Sequence, residues 1–311
     1  RGFYRAQSLS LIAEGGDGNG ADMVYISPTQ STQVYNALLA HEFQHLINYN
    51  QHVLLRRAAT EESWLNEAFS HLVEDLVGEH VEGGNRGLAA TYLSAPQEYG
   101  LTDDAIFNRG VRGAAYLFLK GVLDDSGPNT LGQLAQTGLI GRRNVEAVTG
   151  QAFGDLYRRF AARLFLSGTG LAPDLDYRDD HLTEPITGHR TLPPPNESLL
   201  MASGMPVEGR IPVAALAFVR LTGSGGGEEI RIETEVKGAF RALLIPIPRA
   251  FEYKLALARD YFRGITFDVP LQAWHASGEA QRISGSVADP AISRLWFQFQ
   301  PSGGNSQSDT T

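Results

Sequence analysis

The sequence predicts an α+β protein: a mainly helical domain carrying a short β-sheet, followed by an antiparallel β-sandwich. Three observations predict it. Apolar residues recur at helical spacing over residues 33–50, 62–77, 103–124 and 152–166. A stretch rich in Gly, Pro and Asp, including Pro193-Pro194-Pro195, interrupts the chain between 168 and 207. Beyond it, short apolar runs alternate with turn residues as far as 301, the pattern of antiparallel strands.

Taken in order, Met23-Val24-Tyr25-Ile26 follows the Gly-rich Gly15–Gly20 stretch and reads as a strand. Pro28 to Thr32 supply helix-start chemistry, and Val34, Leu38, Leu39, Phe43, Leu46 and Ile47 carry the first helical stripe. Trp64, Leu65, Ala68, Phe69, Leu72, Val73 and Leu76 carry the second. The third helix contains Ala114 to Leu119, and Phe153, Leu156, Tyr157, Phe160 and Leu164 mark the fourth. These elements define a first domain over 1–167, then an irregular crossing over 168–207. Strands are predicted at Ile230–Thr234, Leu243–Ile247, Tyr253–Leu257, Ile265–Phe267 and Leu295–Phe299, within a sandwich spanning 208–301. The tail, 302–311, has no apolar residue and is expected to be disordered.

Composition narrows the function. The chain has 311 residues and a net charge of −9, which repels phosphate backbones and argues against nucleic acid as a partner. No apolar run is long enough to span a membrane. There is no cysteine, so disulfides, thiolate metal sites and a cysteine nucleophile are excluded. The chain opens on Arg1 without the pattern of a signal peptide.

The segment Ala40-His41-Glu42-Phe43-Gln44-His45 carries the chemistry. Two His four apart on a helix project from one face, so both imidazoles can reach one ion. Glu42 lies beside them and can activate a water without ligating the metal. A hydrolytic zinc site needs a third protein ligand and an open fourth position. A third His in the extended pattern H-E-x-x-H-x-x-G-x-x-H is excluded, because Asn48 and Gln51 occupy its last two defining positions. His52 misses by one residue and reads as a surface or helix-end residue. No Met-turn follows, since the later methionines, Met201 and Met205, lie past 167. A Glu on the next helix is the other solution. Glu67 sits among Leu65, Ala68 and Phe69, where a carboxylate needs a cation to offset its burial. Glu61 and Glu62 read instead as first-turn acids, and Glu74 as too far along the helix.

At these residues the chain resembles a known group. The pair HEFQH and WLNEAFSHL looks like the gluzincin metallopeptidases, the group of thermolysin and aminopeptidase N. The wider wording LAHEFQHLIN, WLNEAFSHLVEDL, GAAYLFL and NVEAVTGQAF is similar to the hyicolysin family of bacterial peptidases, over roughly residues 20–167. The resemblance implies a zincin-type catalytic domain, with Zn²⁺ held by His41, His45 and Glu67 and with Glu42 as general base. It also implies a peptide or protein substrate paired along strand 23–26, and a secreted, periplasmic or cell-surface location. Gluzincins usually supply a Tyr or His to the oxyanion. Relatives place a Tyr before the Gly of GAAYLFL, where this chain has Arg112. Arg112 and Tyr116 are the two candidates for that role, the latter weighed against a core aromatic. Family members of the thermolysin type have an acid where His71 stands. The competing reading is a catalytically inactive zinc-binding relative that acts as a protein- or surface-binding module. The sequence leaves the oligomeric state open.

Overall fold

The computed structural model describes residues 2–4, 23–27, 32–77, 85–168, 172–178, 195, 197–201, 212, 214–222, 229–234, 239–248, 272–277, 281–286 and 292–301. The Gly15–Gly20 stretch, the 28–31 helix start, the strands expected at 253–257 and 265–267, much of the 168–207 crossing and the 302–311 tail lie outside the described residues. The chain divides into two compact units, Arg1–Ala89 with Asp104–Leu156, and Ala90–Asp103 with Tyr157–Thr311.

The first unit is mostly helical. Strand β1 (Gly2–Tyr4) pairs antiparallel with β2 (Val24–Ile26), and both lie against α1 (Thr32–Tyr49). Helix α1 runs directly into a π-helical turn, Asn50–Leu55, capped by Arg56 and followed by Arg57 with φ +57°. Helix α2 (Ser63–Leu76) returns against α1, and α3 spans Asn85–Ser94, its residues from Ala90 onward belonging to the second unit. Helix α4 (Arg109–Ser126) packs on α2, followed by α5 (Thr130–Ala135) and α6 (Gly141–Thr149). Asn108 caps α4 by accepting hydrogen bonds from the Gly110 and Val111 amides at 2.8 and 3.4 Å. That cap starts the helix six residues later than the apolar pattern suggests. The core of the unit is an aromatic cluster. Trp64 lies 6.0 Å from Phe118 and 6.1 Å from Phe153, while Phe118 and Phe153 are 5.3 Å apart between ring centroids. All three rings are buried, and each contributes roughly 1.5–3 kcal/mol or more of transfer free energy. That burial sets the rotation of α2 about its axis.

Helix α1 does not bury the apolar stripe that its periodicity presents. Leu39, Phe43 and Ile47, with Tyr35, are 39–51% exposed, while His41, Glu42, Gln44 and Asn48 are buried. The helix turns its polar face inward, toward α2.

The second unit takes α7 (Phe153–Leu166) from Tyr157 onward, a short 3₁₀ turn at Pro173–Leu175, and the C-terminal strands. Tyr92 stacks on Phe160 at 6.2 Å, and the Tyr157 hydroxyl donates to the carbonyl of Ala214. Buried Arg163 lies over the Tyr177 ring at 5.4 Å. Strands β3 (Glu197–Met201), β4 (Ala217–Thr222), β6 (Ala239–Pro248), β7 (Gln272–Ser277) and β9 (Ile292–Pro301) form one sheet in the order β3-β4-β9-β6-β7. Within it only β3–β4 is parallel. Strand β5 (Glu229–Thr234) pairs antiparallel with β8 (Gln281–Ser286). No helix among the described residues is long and apolar enough to cross a membrane.

Candidate metal centre

Three elements of the first unit converge on one site. Helix α1 presents His41 and His45 one turn apart. Helix α2 buries Trp64, Leu65, Ala68, Phe69 and Leu72, which leaves Glu67, His71 and Glu74 on the side facing α1. Helix α4 brings Arg112 and Tyr116 against α2.

The ligand atoms of His41, His45 and Glu67 all lie within 4.8 Å of one another. His41 Nε2 is 3.6 Å from Glu67 Oε2, and His45 Nε2 is 3.5 Å from Glu67 Oε1. Two atoms each about 2.1 Å from a tetrahedral ion are about 3.4 Å apart, so this spacing fits a shared cation. A second triad, His41, His71 and Glu74, also lies within 4.8 Å. Its spacing argues for a different role. His41 Nδ1 is only 2.6 Å from Glu74 Oε1, the length of a charge-assisted hydrogen bond and too close for two ligands of one ion. Glu74 therefore takes the far nitrogen of His41 and turns Nε2 toward Glu67. This is the carboxylate–histidine support that fixes the tautomer of a metal ligand. The sequence pattern places Glu74 too far along α2 to matter. Seven residues after Glu67, it lies on the same helical face and reaches the opposite edge of the same imidazole.

His45 is held from behind as well. Its Nδ1 is 3.2 Å from Ser70 Oγ, which donates at 2.6 Å to Gln44 Oε1. Ser70 Oγ is also 3.4 Å from His45 Nε2, so it lies against the nitrogen edge of the ring, whose Nε2 is 3.5 Å from Glu67 Oε1. Glu42 is buried on α1 next to His41.

Arg112 stands at the opposite side of Glu67. Its Nη2 is 2.8 Å from Glu67 Oε2, and its Nε donates at 2.9 Å to His71 Nε2. That bond assigns the His71 proton to Nδ1, which lies 3.1 Å from Glu74 Oε1 but off the angle of a good hydrogen bond. His71 is buried, not exposed. Burial and the neighbouring Arg112 and His41 push its pKa down, against the pull of Glu74. Tyr116 is buried too, and its hydroxyl donates at 2.8 Å to Asp75 Oδ2. Asn85 donates at 2.7 Å to Asp75 Oδ1 and at 2.7 Å to the His71 carbonyl. Arg112 thus touches a candidate ligand, whereas the Tyr116 hydroxyl is engaged one layer further out.

The electrostatics agree with this layout. Burial alone depresses the His41 pKa, but hydrogen bonds with Glu67 and Glu74 outweigh it and raise the group to about 9. Burial works to raise Glu67, yet His41, His45 and Arg112 hold its carboxyl well below the usual range. His41 and His71 overcome the burial of Glu74 and bring it to about 2. Two ionised carboxylates inside the protein are thus matched by cationic groups, with the two imidazoles of α1 turned toward Glu67.

Two of the acids set aside in the sequence do structural work. Glu61 accepts from the Glu62 amide at 2.7 Å, the Gly141 amide at 2.6 Å and Asn144 Nδ2 at 2.9 Å, tying the α2 entry to α6. Glu62 accepts from Trp64 Nε1 at 2.6 Å. His52 is fully buried within the π-helical turn rather than at the surface.

No model of a known protein family matches the chain, and no curated protein matches it.

Proposed function

We propose that the protein is a zinc-dependent peptidase of the gluzincin type, resembling the hyicolysin family, which hydrolyses peptide bonds with Glu42 as general base. The observation that carries this reading is the convergence of His41, His45 and Glu67 within 4.8 Å, on two helices that hold Glu42 beside the first ligand. Two imidazoles and one carboxylate suit zinc in a hydrolytic site, with one position left open. Bound there, the ion supplies Lewis acidity and raises the acidity of water to near neutral pH. Glu42 accepts the proton of the attacking water and returns it to the leaving amine. Glu74 and Ser70 orient the two imidazoles, and Arg112 orients Glu67 and places a fixed positive charge beside the reacting carbonyl. Among the described residues β2 pairs with β1, and its other edge is where an extended substrate would pair.

One observation favours a second reading, a zinc-binding protein without turnover: Arg112 is committed to Glu67 and His71, and the Tyr116 hydroxyl to Asp75. The deciding experiment is metal analysis of the purified protein together with cleavage of casein and quenched peptides, with and without chelator. The peptidase reading expects one zinc per chain and chelator-sensitive cleavage. In Glu42→Gln, zinc is retained and cleavage is lost. Near-normal cleavage by Glu42→Gln removes the mechanism. Zinc without cleavage in the wild type selects the second reading.

A further inference from the structure

A cavity of about 200 Å³ opens beside the candidate ligands, lined by His45, Asn48, Tyr49, Thr60, Glu61, Asn66 and Glu67. It begins at the His45–Glu67 side of the metal centre, away from Arg112, and runs toward the entry of α2. Its size is below the roughly 300–1,000 Å³ typical of whole small-molecule sites, which suits one side chain. Its wall is polar. Asn48 Nδ2 donates at 2.8 Å to Asn66 Oδ1, and Asn48 Oδ1, buried, has no hydrogen-bond partner. Glu61 supplies a carboxyl that accepts from three N–H donors, yet burial outweighs them and pushes its pKa up, as for a carboxylate with no cation beside it. None of the described residues lining the cavity is a lysine or arginine. Glu61 therefore has no cation facing it across the cavity from among them. The occupant that completes this wall carries hydrogen-bond donors and positive charge.

We propose that this cavity is a specificity pocket for a lysine or arginine side chain of the substrate, one residue flanking the scissile bond. The inference rests on the peptidase reading and names its substrate class. The cationic head supplies N–H donors toward Glu61 and the Asn48–Asn66 amides, while an acidic side chain meets Glu61 as a like charge. A leucine offers Glu61 neither a donor nor a charge.

The test uses the zinc-loaded full chain and quenched peptides that differ only in the residue on either side of the cleaved bond: Lys, Arg, Gln, Leu or Glu. Lys and Arg peptides are expected to exceed the Glu peptide by about tenfold to a hundredfold in kcat/KM at one of the two positions, with Gln between them. Thr60 is exposed at the pocket wall, so its substitution is compatible with folding. Thr60→Lys is expected to shrink the Lys-to-Glu ratio severalfold and Thr60→Glu to enlarge it. Zinc content is measured for each variant. Opposite shifts from one position exclude a general loss of structure. Cleavage that is indifferent to the flanking residue, or that favours Leu or Glu, overturns the pocket and leaves the peptidase reading standing. So does an unchanged ratio in both Thr60 variants. Zinc uptake with no cleavage of any peptide overturns the peptidase reading and the pocket together.

Discussion

His41 illustrates how much one side chain depends on what lies behind it. Its Nε2 faces Glu67 only because Glu74 holds Nδ1 at 2.6 Å. Replacing Glu74 by Gln weakens that bond and frees the ring to turn. Zinc affinity of Glu74→Gln is expected to fall about tenfold to a hundredfold, measured by competition with a chromophoric chelator. Unchanged affinity would show that the imidazole is oriented by other means. Tyr116→Phe separates two roles. With its hydroxyl spent on Asp75, the loss is expected to cost about 1 kcal/mol of stability and to leave turnover within a fewfold of wild type. A drop of about 10²–10³ in turnover would instead assign the hydroxyl to the oxyanion. His52 gives a pH prediction. Burial pushes its pKa below 6.5, so below that pH the unfolded chain takes up a proton that the folded chain resists. Stability therefore falls as pH drops through 6.5. His52→Gln is expected to flatten the dependence of the denaturation midpoint between about pH 6.5 and 5. An identical slope in wild type and variant would refute that origin.

At the scale of elements, the existence of α1, α2, α4 and α7 was legible from apolar spacing, with boundaries within a few residues except at the α4 start. The face each one buries was legible only for some. Helix α2 buries the stripe its sequence displays as far as Leu72, because Trp64 docks on Phe118 and Phe153, while Leu76 at its end is exposed. Helix α1 does the reverse and exposes Leu39, Phe43 and Ile47, since the polar residues at 41, 44, 45 and 48 find partners on α2. Periodicity reports that a helix has two unlike faces, and only its neighbours decide which one turns inward. Helices α3, α5 and α6 are only six to ten residues long, too short for a helical repeat to stand out from the loops around it. The junction of α2 with α6 is a sharp test of packing. Gly141 has φ +56°, and a Cβ there would lie 2.1 Å from the Glu62 carboxyl carbon. Gly141→Ala is expected to lose more than about 1 kcal/mol in chemical denaturation, through backbone strain and displacement of Glu62 from Trp64. A neutral substitution would mean that the turn tolerates a left-handed alanine and that Glu62 moves freely.

At the scale of the whole molecule, the candidate ligands found among the described residues, and their supports, belong to the first compact unit. Ligand binding stabilises only what it binds. Zinc at a hundredfold excess over its Kd is expected to add about 2.7 kcal/mol to the stability of that unit. Hydrogen exchange should report the gain at amides of α1, α2 and α4, and not in α7 after Tyr157. Equal protection of both sets would show that the two units unfold as one. No protection at α1 or α2 would contradict metal binding at this site.

The sequence by itself determined that two histidines share a helix face, that an acid follows within reach on the next helix, and that strand-forming segments succeed the helical part. Those statements are local: they need only the 3.6-residue period, the alternation of strands and the chemistry of the side chains. The tertiary structure alone decided that Glu74 supports His41, that Arg112 clasps Glu67 and His71, that Tyr116 serves Asp75, and that Glu61 belongs to a cavity wall. Each of these depends on the rotation and separation of helices far apart in the chain. That rotation is set by the joint burial of the Trp64, Phe118 and Phe153 rings rather than by any one segment.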